Sequence, residues 1–387
     1  MSMIQTAATL RSVVEQTTQV SRGVVVVPTP STGFASRHER ATRAELATRL
    51  AALKGFDFAG ELDPPIPHPG PVYLVPADTL VGAEAAAALG VRGEHDLFGG
   101  VAPHAFVATK AITHPLIEPD DFAPTGWSRE FGHRVRDVVL RGFSAFAPED
   151  ARRAGLRLLG HGPVRLKAVR ATAGRGQIVV CGAAELEAAL AAVDAAELSG
   201  HGLVLEEDLA EVTTYSVGQV RVADLVASYC GTQRLTPDNS GAQVYGGSDL
   251  VVARGDFEAL LALDPPEGAR LAVAQARTYD AAAMECFPGL FASRRNYDVA
   301  QGVDAAGRRR SGVLEQSWRA GGASGAEVAA LEAFRADPGL RAVRASTVEI
   351  YGQRHAPPPG AMVHFRGEDE RGGPMTKYTV VGPHGGP

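Results

Sequence analysis

"RRNYDVAQGVDAAGRRRSGVLEQSWR" (294–319) is the stretch on which the reading of this chain turns. Two strand-like runs flank "DAAGRRR", a polar, glycine-containing turn, and that is the pattern of a β-hairpin. Alternate residues of a strand share a face. Glu315, Ser317 and Arg319 therefore face one way, and Leu314, Gln316 and Trp318 the other. A hairpin symmetric about Ala306–Gly307 sets Asp298 directly opposite Glu315, with Cβ atoms about 5 Å apart. Two like charges at that range repel unless a cation sits between them. Carboxylate oxygens suit Mg2+, above all where phosphates complete its shell. Arg319, two steps past Ser317, carries a fork of donors that can hold a phosphate. The glycines after it would let the chain turn close to a ligand. A solvent-facing hairpin neutralised by Arg308–Arg310 is the competing reading of the same residues.

Upstream, "VRLKAVRATAGRGQIVV" (164–180) sets Lys167 inside an apolar strand, where an ammonium needs a partner. Gly174 and Gly176 follow, and a glycine loop lets backbone N–H groups approach an anion. Lysine and loop together suit a triphosphate, although a glycine loop alone reads first as the mobile tip of an ordinary hairpin. The spacing is not that of a P-loop, and no G-x-G-x-x-G fingerprint follows the first strand. "GLVLEEDLAEV" (202–212) is an apolar strand ending in Glu206–Glu207, with Leu209 just after. Strand-edge backbone can hydrogen-bond an adenine, a leucine can cover its face, and an acid can reach a ribose. An ordinary strand exit into a charged loop reads the same way.

The flanking segments suggest the frame. "RGVVVVPTPSTG" (22–33), a helix through "HERATRAELATRLAALKG" (38–55), strand "VYLVPA" (72–77) and an alanine-rich helix at 82–89 imply an open α/β sheet. Residues 149–207 read as a compact α+β unit, and 212–252 as antiparallel strands before a helix near 267–285. "YGGS" (245–248) reads as a glycine-bearing turn, with a pocket-lining role second. The histidines, His114 among them, show no paired spacing and read as surface or structural.

Bulk composition narrows the class. The 387 residues are too many for one small core, and 45% hydrophobic with 21% charged residues fits soluble globular domains. A net charge of −6 lacks the basic surplus of a nucleic-acid binder. Three widely spaced cysteines make neither a disulfide framework nor a zinc site, so a cytoplasmic location is expected. No run approaches the roughly 18 apolar residues of a membrane span, and no signal peptide is evident, so no membrane partner is expected.

The order Lys110, Lys167 with its glycine loop, Glu206–Leu209, Asp298, then Glu315-x-Ser317-x-Arg319 resembles the ATP-grasp superfamily over roughly residues 20–330. "SRRNYDVAQG" and "GVLEQSWRAGGASGAE" look like a bacterial family within it, one that brings no substrate with it. The resemblance implies an α/β and α+β chain of ATP-grasp architecture. Its parts would be an N-terminal open α/β domain (20–110), a small lid subdomain (111–205), a C-terminal mixed-sheet subdomain with the metal site (206–330) and a C-terminal extension (331–387). It further implies ATP and Mg2+ as cofactors. Lys110 and Lys167 would touch phosphates, and Gly174, Arg175, Gly176 and Gln177 would form the lid loop. Glu206, Glu207 and Leu209 would surround adenosine, Asp298, Glu315 and Ser317 would ligate the metal, and Arg319 with Lys167 would be catalytic.

The implied reaction activates a small-molecule carboxylate as an acylphosphate for attack by an amine or other nucleophile. A small-molecule kinase and a non-catalytic ATP-binding regulator are the alternatives, and a homodimer is the default assembly. Three positions depart from the pattern. Ser317 stands where asparagine is usual, and Thr214 stands near a usual ribose-binding acid, leaving Glu207 or Glu211 for that role. Asn296 stands where arginine is common, with Arg294 or Arg295 as substitutes.

Overall fold

The computed structural model describes residues 22–28, 36–62, 68–170, 176–352 and 356–385. The buried run Val24–Val27 needs cover on both faces, and a parallel sheet provides it. β1 (Val24–Pro28) lies between β2 (Asp57–Leu62) and β3 (Val72–Leu74), parallel to both. α1 (Arg37–Lys54) crosses between β1 and β2; it starts at a capping box in which Ser36 and Glu39 satisfy each other's backbone N–H groups. The short strands β4 (Leu80–Val81) and β5 (Gly100–Ala102), with α2 (Ala83–Ala88) between them, complete this α/β region. Two 3-10 turns, Ala105–Ala108 and Lys110–Thr113, and α3 (Arg129–Val135) lead onward.

The next unit is a four-stranded antiparallel sheet backed by helices. In chain order it holds β6 (Gly142–Ala145), α4 (Pro148–Leu159), β7 (Val164–Ala168), β8 (Gln177–Val180), α5 (Ala183–Ala191), α6 (Ala195–His201) and β9 (Leu203–Glu207). β9 is central, between β6 and β7. Leu158, Leu166, Leu186 and Leu205 close its separate core.

The largest sheet has eight strands. They are β10 (Ala210–Val222), β11 (Leu225–Pro237), β12 (Gln243–Arg254), β14 (Arg294–Val303), β15 (Arg309–Ser317), β16 (Ala342–Tyr351), β17 (Met362–Asp369) and β18 (Gly373–Pro383). The two-residue β13 (Phe291–Ala292) pairs with β5 instead. All pairings in the large sheet are antiparallel, in the order β15-β14-β10-β11-β12-β16-β18-β17; an isolated parallel bridge joins Val139 to Val313 at one edge. Residues 342–383, expected as an extension, supply three of these strands. α7 (Phe257–Leu261) and α8 (Glu267–Cys286) cover one face. α9 (Ser324–Ala336) covers the other, where Leu331 and Phe334 share a core with Val220, Val252, Leu50 and Tyr73. The N-terminal α/β region and the large sheet are thus joined through one apolar interior.

"YGGS" is not a turn. It lies inside β12, where Arg234 pairs with Gly247 and Leu235 with Tyr245, leaving Gly246 as the extra residue of a bulge. Among the described residues no helix is long and apolar enough to cross a membrane.

Candidate active site

The β14–β15 hairpin does set Asp298 opposite Glu315, and Asn296 opposite Ser317. It does so by a route the sequence did not suggest. The turn is centred on Ala306, since Val303 pairs with Arg309 and Gln301 with Ser311. Continued regularly, that register would bring Leu314 to Asp298. A bulge instead skips Leu314 and restores the pairing of the acids. Leu314 consequently does not join Trp318 on the reverse face. It packs with Leu140, Leu209 and Ala300, and Ala300 shares the face of Asp298 two residues away. Gly312 permits this, because a Cβ there would come within 2.5 Å of the Val139–Leu140 backbone.

The acid pair is unbalanced. Asp298 accepts from Asn296 Nδ2 at 2.9 Å and from Ser216 Oγ at 3.5 Å. Burial, then the charge of Glu315, pushes its carboxyl up to about 6. Lys110 Nζ lies 2.8 Å from Glu315 Oε2 and is itself 7% exposed. Gln316 brings the two together from behind: its amide donates to the carbonyls of Val107 at 2.9 Å and Thr109 at 2.7 Å, and accepts from Tyr279 at 2.9 Å. The strand bearing Glu315 is thereby fastened to the turn bearing Lys110.

As a metal site the donor set fits a hard, oxygen-seeking cation. Two carboxylates and the Ser317 hydroxyl share one face, and the high proton affinity of Asp298 marks charge that a cation would relieve. Among the described residues no three His, Cys, Asp or Glu side chains form a metal cluster. A divalent ion here would therefore need other oxygens, such as phosphates or waters, to fill its shell.

Lys167 and Glu206 form a different kind of centre. The Lys167 ammonium contacts Glu206 Oε1, and His114 Nε2 lies 3.0 Å from Glu206 Oε2, with all three side chains buried. Burial alone would raise the Glu206 carboxyl; Lys167 and His114 outweigh it and hold it at about 2. Glu207, one residue on, faces the hairpin, where its Oε1 accepts from Arg310 at 2.9 and 3.0 Å and from the Arg141 N–H at 3.0 Å. Arg310 is thus a tie between sheets rather than a solvated turn residue. Gly174 and Arg175 lie outside the described residues. Gly176 has φ 65, and Gln177 pairs in register with Lys167 while its amide oxygen accepts from Arg165 at 3.0 Å.

The end of β15 is braced from below. Arg294, fully buried, donates through Nη1 to the carbonyls of Ser317 at 3.2 Å and Arg319 at 2.6 Å, and lies 3.4 Å from Ser317 Oγ. Its Nη2 bonds Glu327 Oε1 of α9 at 2.7 Å. The Tyr229 hydroxyl lies 2.6 Å from the same oxygen and 2.9 Å from Asn296 Oδ1. Arg295 is engaged by Asp280 at 3.1 Å. Both arginines considered as substitutes at the Asn296 position are therefore committed to structural partners. Arg319 is held loosely, with Nε 3.6 Å from Asp78 Oδ1 and Nη1 3.1 Å from the Ala320 carbonyl.

The glycines after Arg319 answer to packing. A Cβ on Gly322 would meet the Tyr245 ring at 2.5 Å, and one on Gly325 would meet Thr379 Oγ1 at 2.6 Å. The sequence reads His114 only as surface or structural and Gln316 only as a reverse-face residue, and it gives Glu327 and Asp78 no role. His114 follows Lys110 by four residues, but nothing local connects it with Glu206.

A family described as "Protein of unknown function (DUF3182)" matches residues 26–379. A comparison with curated proteins returns no match. Among solved structures, the ADP complex of N5-carboxyaminoimidazole ribonucleotide synthetase has a TM-score of 0.50 at 13% identity, covering 94% of this chain and 93% of that chain. Carboxyaminoimidazole ribonucleotide synthase from Aspergillus clavatus, complexed with ATP, has a TM-score of 0.50 at 16% identity over 94% of each chain. N5-carboxyaminoimidazole synthase from the same organism, with ADP and 5-aminoimidazole ribonucleotide, has a TM-score of 0.50 at 15% identity over 94% of each chain. The architecture of this chain is that of ATP-grasp enzymes.

Proposed function

The chain belongs to the family described as "Protein of unknown function (DUF3182)", and we propose that it is an ATP- and Mg2+-dependent ligase that activates a small-molecule carboxylate for attack by an amine or other nucleophile. The observation that carries this reading is the opposed Asp298–Glu315 pair, with its raised Asp298 and with Lys110 on Glu315. ADP and ATP, named in the structures of similar fold, suit that pair and its cationic surroundings.

On this reading Asp298, Glu315 and Ser317 hold Mg2+, which when bound would offset the charge of the nucleotide phosphates. Lys110 and Lys167, with the loop Gly174, Arg175, Gly176 and Gln177, bear on the phosphates. Glu206 fixes the Lys167 ammonium, so the cation is oriented before nucleotide arrives. The apolar patch of Leu140, Leu209, Ala300 and Leu314 offers a floor for adenine, beside the Glu206–Glu207 strand end. Arg319, whose fork meets only the Ala320 carbonyl and the more distant Asp78 among the described residues, stabilises the transferring phosphoryl group.

In the first step a substrate carboxylate oxygen bonds to the γ-phosphorus as the bond to the β,γ-bridging oxygen breaks, and ADP leaves. In the second the nucleophile bonds to the acyl carbon and phosphate departs. Calorimetry with ATP, with and without Mg2+, followed by an ADP-release screen over carboxylate and amine pairs, tests the proposal. Metal-dependent binding with ADP release that needs both substrates is the expected result. A stable phosphorylated product without a nucleophile would favour a kinase. The Ser317 hydroxyl near Arg294 favours a second reading, a non-catalytic ATP-binding regulator, whose mark is binding without ADP release across the panel.

A further inference from the structure

Glu327, in the first turn of α9, is fully buried, and it meets a side chain from each of the two strands that flank β10. Arg294 of β14 donates through Nη2 to Glu327 Oε1 at 2.7 Å and through Nε to Oε2 at 3.0 Å. The hydroxyl of Tyr229, on β11, lies 2.6 Å from Oε1. Two routes lead from this carboxylate to the candidate site. Along the first, Arg294 Nη1 holds the carbonyls of Ser317 and Arg319, so Glu327 fixes the guanidinium that ends β15. Along the second, the Tyr229 hydroxyl also lies 2.9 Å from Asn296 Oδ1, and Asn296 Nδ2 donates to Asp298 at 2.9 Å. An amide that turns its donor toward an acid needs a donor for its own oxygen, and the phenol is that donor. The phenol's single proton lies between two acceptors, so Glu327 and Asn296 both bear on where it points.

Tyr229 and Asn296 stand on strands that are not neighbours. Both pair with Gly218 of β10, where a Cβ would come within 2.4 Å of the Tyr229 hydroxyl oxygen. The missing side chain at that position is what lets the phenol cross a strand to reach the amide. Stability alone does not call for such a set, because apolar side chains of like volume often replace a buried ion pair without loss. Apolar side chains cannot, however, hold two carbonyls and an amide in fixed directions. Glu332, later in α9, provides the contrast. It pairs with Arg49 of α1 at 2.9 Å and docks helix on helix, away from the hairpin's hydrogen bonds.

We propose that Glu327 is a positioning residue for the metal and phosphate site: through Arg294 it sets the backbone that carries Ser317 and Arg319, and through Tyr229 and Asn296 it sets the Asp298 carboxylate. Both strands of the hairpin thus take their placement from one carboxylate on α9. This role rests on the nucleotide and Mg2+ reading of the hairpin, but the placement itself can be measured with no ligand bound. Partners behind the direct ligands of a metal commonly matter by tenfold or more in its affinity.

The test titrates ADP by calorimetry into wild type, Tyr229→Phe, Glu327→Gln and Glu332→Gln over a series of Mg2+ concentrations. The same four proteins, free of ligand, are followed by amide hydrogen exchange. Tyr229→Phe cuts only the route to Asp298; it should raise the Mg2+ needed for half-maximal ADP binding by about tenfold and leave exchange at 317–321 unchanged. Glu327→Gln weakens both routes; it should raise the Mg2+ requirement at least as far and speed exchange at 317–321 by about tenfold. Glu332→Gln should lower the melting temperature yet match wild type in both readings. A wild-type Mg2+ requirement in Tyr229→Phe and Glu327→Gln overturns the proposal. So does an equal shift in Glu332→Gln, which would mean that any loosening of α9 has the same effect. If Glu327→Gln does not fold, the Mg2+ requirement of Tyr229→Phe decides. If wild type binds no ADP at any Mg2+ concentration, the nucleotide reading falls and exchange decides the positioning role. Faster exchange at 317–321 in Glu327→Gln than in Glu332→Gln then upholds it, and equal rates overturn it.

Discussion

The Lys167–Glu206–His114 centre of the four-stranded sheet and the Asp298–Glu315 pair of the eight-stranded sheet contain similar groups in opposite balance. In the first, an acid is enclosed by two basic side chains, and its carboxyl is held at about 2. In the second, two acids oppose each other, one is half satisfied by Lys110, and the other is pushed up to about 6. The first has its charges matched before any ligand arrives, so it contributes to the fold as well as orienting Lys167. The second costs the fold something, and only a bound cation would offset that cost. Burial amplifies both, since a low dielectric strengthens attraction in one place and repulsion in the other.

Removing one partner from the closed centre should have the largest effect on stability. Lys167→Met strands a buried carboxylate and should cost about 3–5 kcal/mol in urea unfolding. A loss under about 1 kcal/mol would erase the contrast between the two centres. At the open pair the loss should fall on chemistry and leave the fold intact. Glu315→Gln should lower ADP release by about a hundredfold or more with an unchanged melting temperature, and wild-type turnover in this variant would refute the assignment.

The pH responses should have opposite signs. Glu206 is depressed, so its contribution is present above its ordinary range near 4.5 and is lost as pH falls toward 2. Asp298 is raised, so its charge destabilises the fold above about 6, and that cost disappears as pH falls below its ordinary value of 3.8. Asp298→Asn should thus melt higher than wild type at pH 7.5 and equally at pH 4, while losing the extra stability that Mg2+ and ADP give wild type. A variant that melts lower at pH 7.5 would reverse the sign assigned to this group.

The smallest effect is expected from the bulge residue. Leu314→Ala trims the patch proposed for adenine and should weaken ADP by several fold, about 1 kcal/mol, without altering the binding of inorganic triphosphate. Equal loss for both ligands would mean that Leu314 acts on the metal pair and not on the base.

Much of this arrangement was legible in the chain. The opposed acids, the buried lysine in "VRLKAV" and the strand ending in Glu206–Glu207 all follow from local alternation and from the need of a buried charge for a partner. What escaped were partners distant in sequence. Glu206 is 92 residues from His114, and Gln316 is 209 from Val107. Arg294 and Glu327 each look unremarkable until β14 and α9 meet. The "YGGS" segment misled because glycine marks a bulge as readily as a turn.

The hairpin shows where the division falls. The residue types of "DVAQGVDAAGRRRSGVLEQS" determined that two strands would pair and that acids would lie near each other, because alternation and turn chemistry are local. They did not determine the register. The turn centres on Ala306, half a residue from the expected point of symmetry, which shifts the register by one residue, and a regular ladder would have faced Asp298 with Leu314. The bulge that corrects this accompanies the packing of Leu314 on Leu140 and Leu209 and the Val139 bridge along β15. A slip of one residue reverses every side chain in a strand. Only contacts from elsewhere in the fold could decide that Glu315, and not its neighbour, looks at Asp298.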